Sequence, residues 1–253
     1  MSREVGRVLD EHRQAGFRVR FDWGPNGLRA LAPVVDTVVV VDVLSFSTSV
    51  DIATARGAVV LPYRWHNGSE HEYARQRSAL VASADRAGEG YTLSTSSLES
   101  VPAATRLVLP SPNGSALCFG AHEAGAKQVV VGCLRNARAV GRWVLDRGGI
   151  VGVLAAGERW RGATGPMRPA LEDLLGSGAI IAALDGDGGV SPEASVAAAA
   201  FAAADVGWAL RDCASGRELV SRGFDRDVEL AGHVDASTAV PVLQGDELVA
   251  AGG

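Results

Sequence analysis

The chain alternates short unbroken apolar runs with longer segments of mixed polarity. Val38–Val41 is a continuous β-branched run. A run without polar alternation predicts a strand buried on both faces of a sheet. Similar runs stand at Val59–Leu61, Leu107–Leu109, Val129–Val131 and Ile150–Leu154. The intervening stretches Thr48–Arg56, Ser115–Ala124 and Asn136–Asp146 have helical length. Strand alternating with helix predicts an α/β fold with a largely parallel sheet.

One unit recurs. Val38–Val60 and Leu107–Val131 both read strand, polar loop, helix, Gly-Ala, strand. Gly57 and Gly125 fall where a helix C-terminus favours a left-handed residue. A weaker third copy is expected from Ile150 through Gly178–Ile181. The recurrence is read either as a trace of duplication or as the ordinary way a βαβ unit ends its helix. Asp185–Gly189 forms a Gly-rich break. Ser191 then caps an alanine-rich helix that carries Pro192 in its first turn and Glu193 near its positive end. We expect one domain over residues 1–253, with a helical C-terminal appendage from about 190 to 235 and a last strand.

Composition adds bounds. The chain has 253 residues, 47% of them hydrophobic, enough for a substantial core. A net charge of −5 gives no reason to expect nucleic acid or an acidic membrane surface as partner. Cys118, Cys133 and Cys213 are widely spaced, with no CxxC or metal-knuckle pattern, which suits a reducing compartment. Met1–Glu4 lead into charged sequence, not the apolar core of a signal peptide, and the apolar stretches are too short to span a bilayer. A cytoplasmic protein with no membrane partner is expected. Apolar helix faces leave room for a homodimer.

Ligands of open α/β sheets collect beyond the carboxyl ends of parallel strands. Three loops there are polar: Asp42–Ser49, Ser111–Ser115 and Ala156–Trp160. Asp42 ends an apolar run, where a carboxylate is costly to bury unless paired or metal-bound. It is read as a metal ligand or acid/base group, or else as a turn residue. Asn113-Gly114-Ser115 permits a tight bend, and the amides of a helix start attract anions. The same tripeptide also suits an ordinary strand-to-helix turn. Glu172 and Asp173 lie near a helix start, either reaching the site or complementing the helix dipole. Glu158 is a further candidate acid. Arg135, Asn136 and Arg138 follow a strand and are expected at the same rim. No HExxH, GxSxG, GxxxxGK[ST] or GxGxxG motif is present. This gives no support to a histidine metal site and argues against α/β-hydrolase esterases, P-loop nucleotidases and dinucleotide enzymes.

Several of these motifs, in order, resemble the 2-phosphosulfolactate phosphatase (ComB-like) family. They are Val41–Ser49, Asn113-Gly114-Ser115, Ala156-Gly157, Leu171–Ile180, Gly223–Glu229, Val234-Asp235 and Val240–Leu243. The resemblance spans roughly Val38 to Val249. It implies a three-layer α/β/α fold and a Mg²⁺-dependent phosphatase. The family reaction converts 2-phosphosulfolactate to 3-sulfolactate and phosphate, a step towards coenzyme M. On this reading Asp42, with Glu172 or Asp173, holds Mg²⁺ and Glu158 is the general base. The Asn113, Gly114 and Ser115 amides and the Ser47 and Thr48 hydroxyls cradle phosphate. Ser45, Asn136, Gly157 and Arg159 complete the substrate site. The chain departs from the family pattern at Ser45, where an arginine is usual, and at Ala116, where a basic residue is frequent. Gly90–Ser97 also lacks the usual Asp/Asn pair, and Arg159 or Arg161 is a candidate replacement for the lost charge. The alternative is a phosphate- or sulfonate-binding protein on the same fold, without turnover.

Overall fold

The computed structural model describes residues 8–64, 67–160, 165–184 and 189–252. In chain order its elements are β1 (Val19–Trp23), α1 (Gly24–Leu31), β2 (Thr37–Val41), α2 (Phe46–Ala55), β3 (Val59–Tyr63), α3 (Ser69–Gln76), β4 (Leu80–Val81), β5 (Arg106–Pro110), α4 (Gly114–Glu123) and β6 (Gln128–Gly132). There follow α5 (Ala137–Arg147), β7 (Val151–Ala155), β8 (Glu158–Arg159), β9 (Met167–Arg168), α6 (Leu171–Ala183), α7 (Pro192–Ala203), α8 (Val206–Asp212), α9 (Ala214–Ser221), α10 (Asp225–Ala231), β10 (Pro241–Gln244) and β11 (Glu247–Ala250).

All five apolar runs are strands of one nine-stranded sheet, ordered β1-β7-β2-β6-β10-β11-β3-β5-β4. β1, β7, β2 and β6 form one parallel block, and β3, β5 and β4 another. The hairpin β10–β11 lies between the blocks and pairs antiparallel with both. The β2 valines explain the layering. Val38 and Val40 enter one core with α1, α2 and α4, while Val39 and Val41 enter the other with α5 and α6. Successive side chains of a strand point to opposite faces, so an unbroken valine run serves two layers at once. The fold is therefore a three-layer α/β/α sandwich around a mixed, mostly parallel sheet.

The two recurring units are β2-α2-β3 and β5-α4-β6, and their helices end as expected. Gly57 and Gly125 take φ of +82° and +91°. Each unit bridges the two blocks, since β2 pairs with β6 and β3 with β5. The third copy does not form. Gly178–Ile181 lies inside α6, not at a helix exit followed by a strand. Ser191 caps α7 as expected, its Oγ accepting the Ala194 N–H at 3.1 Å. The break at 185–188 lies outside the described residues. Helices α7 to α10 contribute Ala194, Ala197, Leu210, Leu219 and Val228 to the core under the sheet. The expected last strand is a two-stranded hairpin that joins the halves of the sheet, and β1 adds an edge strand the sequence reading left out.

One close approach matters for the site. A Cβ at Gly176 would lie 2.6 Å from Val43 Cγ2 and 3.0 Å from Val41 Cγ1. Glycine there lets α6 press against the end of β2 and carries Asp173 to the loop that follows it. The three cysteines are free and buried. Among the described residues no single helix is long and apolar enough to cross a membrane.

Candidate active site

The loop after β2, the start of α4 and the β7–β8 turn meet around a cavity of about 170 Å³. Asp42, Ser45, Ser49, Ser111, Asn113, Glu158 and Arg159 line it, together with Arg86 from the loop after β4. Leu44, Phe46 and Leu93 supply apolar wall, and the Leu44–Ser45 peptide is cis.

Asp42 is 8% exposed. Its Oδ2 accepts the Gly114 N–H at 2.9 Å, which ties the β2 loop to the N-terminus of α4. Burial, followed by the nearby negative charge of Glu158, pushes the Asp42 carboxyl up to about 7, although the Gly114 amide opposes this. Asp173 is 3% exposed, and burial followed by repulsion from Glu172 and Asp42 raises it well above the usual carboxylate range. Its Oδ1 accepts the Val43 N–H at 2.7 Å and its Oδ2 the Gly157 N–H at 2.9 Å. Asp173 is thus the clasp that holds the β2 and β7 exits together. Glu172 is buried beside it, its Oε2 accepting from Cys213 Sγ at 3.4 Å. Glu158 faces the cavity. Its Oε1 accepts Asn113 Nδ2 at 3.2 Å and the Arg159 N–H at 2.6 Å, leaving Oε2 without a donor among the described residues.

The site expected from the sequence is gathered in part. Asp42, Glu158, Ser45, Asn113 and Arg159 line the cavity. The carboxylate set Asp42, Glu172 and Asp173 does not converge as a ligand cluster. Among the described residues no group of three or more His, Cys, Asp or Glu is placed to hold a metal ion. The reason is that Asp173 has turned both oxygens to backbone amides and Glu172 one of its own to Cys213. The expected hydroxyl cradle is also corrected. Ser47 Oγ accepts the Asp42 N–H at 2.8 Å, and Thr48 Oγ1 donates to the Val43 carbonyl at 2.7 Å. Both hydroxyls fasten their own loop and are fully buried. Ser115 Oγ donates to Leu109 O and accepts the Tyr63 N–H, so it too is structural. The Gly114 and Gly157 amides are taken by Asp42 and Asp173.

Asn136 is fully buried, away from the rim. Its Oδ1 accepts the Cys133 N–H at 2.8 Å, and its Nδ2 donates to Ala239 O at 3.1 Å. Arg135 pairs with buried Asp51 at 2.9 Å, and Arg138 with Asp235 at 2.9 Å. Arg161 lies outside the described residues.

Two contributors were not singled out from the sequence. Ser49 is 1% exposed, and its Oγ is buried without a hydrogen-bond partner. It belongs to the same Ser/Thr-rich run as Ser47 and Thr48. With α2 starting at Phe46, it is the third of these hydroxyls, at Ser49, that belongs to the cavity wall. Arg86 comes from a loop with no motif of its own, and its partner Asp227 is 141 residues away. Arg159 carries a second orphan, a buried Nε without an acceptor, while its NH1 donates to Gly165 O at 3.0 Å.

Gly114 has a steric role. A Cβ there would lie 2.2 Å from Phe46 Cδ1 and 2.8 Å from Asp42 Oδ2. Gly114→Ala should displace Phe46 or Asp42, at a cost of about 1–3 kcal/mol from overpacking. The melting temperature should fall by several degrees; an unchanged value would mean that Phe46 and Asp42 can yield to the added methyl.

Fold and cavity describe an α/β/α protein with a small cavity lined by acids, arginines and hydroxyls. Its family is specific. The sequence model of the 2-phosphosulpholactate phosphatase family matches residues 27–246, and the chain belongs to that family. Membership makes it a phosphoric monoester hydrolase. No protein among curated sequences matches the chain.

Proposed function

We propose that this chain hydrolyses 2-phosphosulfolactate, or a closely related small anionic phosphate ester, at the Asp42 cavity with the help of Mg²⁺. The observation that carries this reading is the composition of one wall-to-wall set: two carboxylates, two guanidiniums, an amide and a buried unpartnered hydroxyl in one small cavity. Orphaned buried polar atoms call for a partner, and the oxygens of a phosphate ester supply acceptors for Arg159 Nε and Ser49 Oγ.

The donor set fits Mg²⁺ through Asp42, with Glu158 Oε2 left free as the base. This cation uses one or two protein carboxylates and fills its remaining positions with water and substrate phosphate oxygens. Bound there, Mg²⁺ would polarise the phosphoryl group and neutralise charge that develops on it. The chain's own groups do the rest. Glu158 Oε2 takes a proton from the water that attacks phosphorus and returns it to the ester oxygen as the P–O bond to that oxygen breaks, and Asn113 Nδ2 on Oε1 fixes the orientation of that carboxylate. Arg159 and Ser49 hold phosphate oxygens. The Asp173 clasp keeps the β2 and β7 exits in register, so acid and cation site stay in place.

Removal of divalent metal by a chelator should lower phosphate release by about 100-fold or more, restored by Mg²⁺. Calorimetry should show Mg²⁺ binding to the wild type and none to Asp42→Asn. Full activity in chelator would remove the cation from this account.

A further inference from the structure

Arg86 is the feature of the cavity that neither the motifs nor the proposed chemistry has yet used. It enters from the loop after β4, between two halves of the chain distant in sequence, and its guanidinium is fixed on several sides. NH1 donates to Asp227 Oδ2 at 3.0 Å and to Leu93 O at 2.5 Å. NH2 donates to Ser45 Oγ at 2.7 Å. Ser45 Oγ in turn donates to Leu93 O at 3.1 Å. Asp227 is fully buried on α10, and its other oxygen accepts Ser94 Oγ at 2.7 Å and the Ser96 N–H at 3.0 Å. Burial pulls the Arg86 guanidinium down from its ordinary value, and the Asp227 and Asp42 charges oppose that.

A guanidinium carries five N–H donors in a rigid plane. Three are accounted for by Asp227, Leu93 and Ser45. One NH2 hydrogen and the Nε–H have no acceptor among the described residues, and this residue lines the cavity with Asp42, Ser49 and Glu158. Each of these remaining N–H groups can donate a charge-assisted hydrogen bond to an oxygen of a phosphate, sulfonate or carboxylate. The acceptor requirement of the buried Ser49 hydroxyl lies in the same cavity. Ser45 Oγ, bonded to both Leu93 O and Arg86 NH2, orients the arginine that comes from elsewhere.

We propose that Arg86 contacts the anionic substrate in this cavity through its remaining N–H edge, and that Asp227 is the positioning residue that holds that edge in place. The inference rests on the phosphatase reading for the identity of the substrate, not for the binding of an anion.

The test uses the full chain and two readouts: inorganic phosphate binding by calorimetry, and steady-state phosphate release from 2-phosphosulfolactate with Mg²⁺. Arg86→Ala should weaken phosphate binding and raise KM by about 10- to 100-fold, the range of a lost charge-assisted pair of hydrogen bonds. Arg86→Lys keeps the charge without the fork and should lose about tenfold. Asp227→Asn should raise KM about five- to tenfold with kcat within a factor of about two, because the edge is mis-set but present. A drop in thermal stability with KM unchanged would make Asp227 a structural tie and overturn its positioning role. If Arg86→Ala does not fold, Arg86→Lys decides: weaker phosphate binding supports the assignment, and wild-type affinity overturns it. Wild-type protein that binds phosphate in an Arg86-dependent way but hydrolyses nothing would sink the phosphatase reading and leave this one standing. Hydrolysis with KM and phosphate affinity unmoved by either Arg86 variant would do the reverse. Wild-type protein that neither binds nor hydrolyses overturns both.

Discussion

Asp42→Asn should nearly abolish phosphate release while making the protein harder to unfold. The loss follows from the position of Asp42, a buried carboxylate on the cavity wall beside Glu158. Removing the carboxylate proposed to hold a charge-stabilising cation is expected to cost on the order of 10³-fold in kcat. The gain in stability follows from the same burial. A carboxyl ordinarily near 3.8 that is pushed up to about 7 holds its proton more tightly folded than unfolded. Between those values the native state binds more protons than the unfolded chain, so this group's contribution to stability is lost as pH rises through that window. Asparagine has no charge to desolvate, and its carbonyl oxygen can still accept the Gly114 N–H. At pH 8 we expect a gain of about 1–3 kcal/mol, read as a rise of a few degrees in Tm. The metal-free wild type should lose stability from pH 4 towards 7, and the variant should lose less, with Asp173 accounting for part of the remaining slope. A variant that melts lower than wild type at pH 8 would contradict the argument.

Asp173→Asn should behave in the opposite way, although the two aspartates are near neighbours. Asp173 does not face the cavity. Its two oxygens accept the Val43 and Gly157 amides, one from each strand exit. An asparagine offers one acceptor and one NH₂ group, so one of the two buried amides must lose its acceptor and meet a donor. The expected cost is about 2–4 kcal/mol in mild acid, where the carboxyl keeps its proton, and it shrinks as pH rises because the substitution removes a buried charge; Asp173→Ala should cost at least as much. Faster hydrogen exchange at Val43 and Gly157 would localise the damage to the clasp. Stability within about 0.5 kcal/mol of wild type, the usual spread for a surface change, would show that the clasp contributes little. The contrast between these two variants separates a carboxylate kept for chemistry from one kept for architecture.

The layers were legible because the valine runs admit few alternatives. Four β-branched residues in a row can be buried on both faces of a strand, and β2 is buried on both. Helix ends marked by Gly57, Gly125 and Ser191 were equally plain, since each needs a specific backbone state or cap. The hairpin β10–β11 was harder. Its pairing with β6 and β3 is set by tertiary contacts across more than a hundred residues, and no local pattern encodes that it divides the sheet. At the site, Asp42, Asn113, Glu158 and Arg159 were readable from their place after apolar runs. Which side each hydroxyl faces was not. The direction of Ser47, Thr48 and Ser49 depends on the residue at which α2 starts, and a shift of one position turns each by about 100°. Asp227 fell inside the Gly223–Glu229 motif but was given no role, and Arg86 was invisible, for a different reason. A buried ion pair between a loop and a helix far apart in sequence leaves no spacing to detect, and the usual cue of an arginine after β2 is replaced by Ser45, which orients one instead.

The most direct test of the account is phosphate release from 2-phosphosulfolactate by the purified chain, with and without Mg²⁺, beside Asp42→Asn. The account predicts Mg²⁺-dependent release by the wild type, close to none by Asp42→Asn, and an Asp42→Asn protein that is folded and melts higher at pH 8. No release from that ester or from a panel of phosphorylated hydroxy acids, or release that survives Asp42→Asn undiminished, would contradict it.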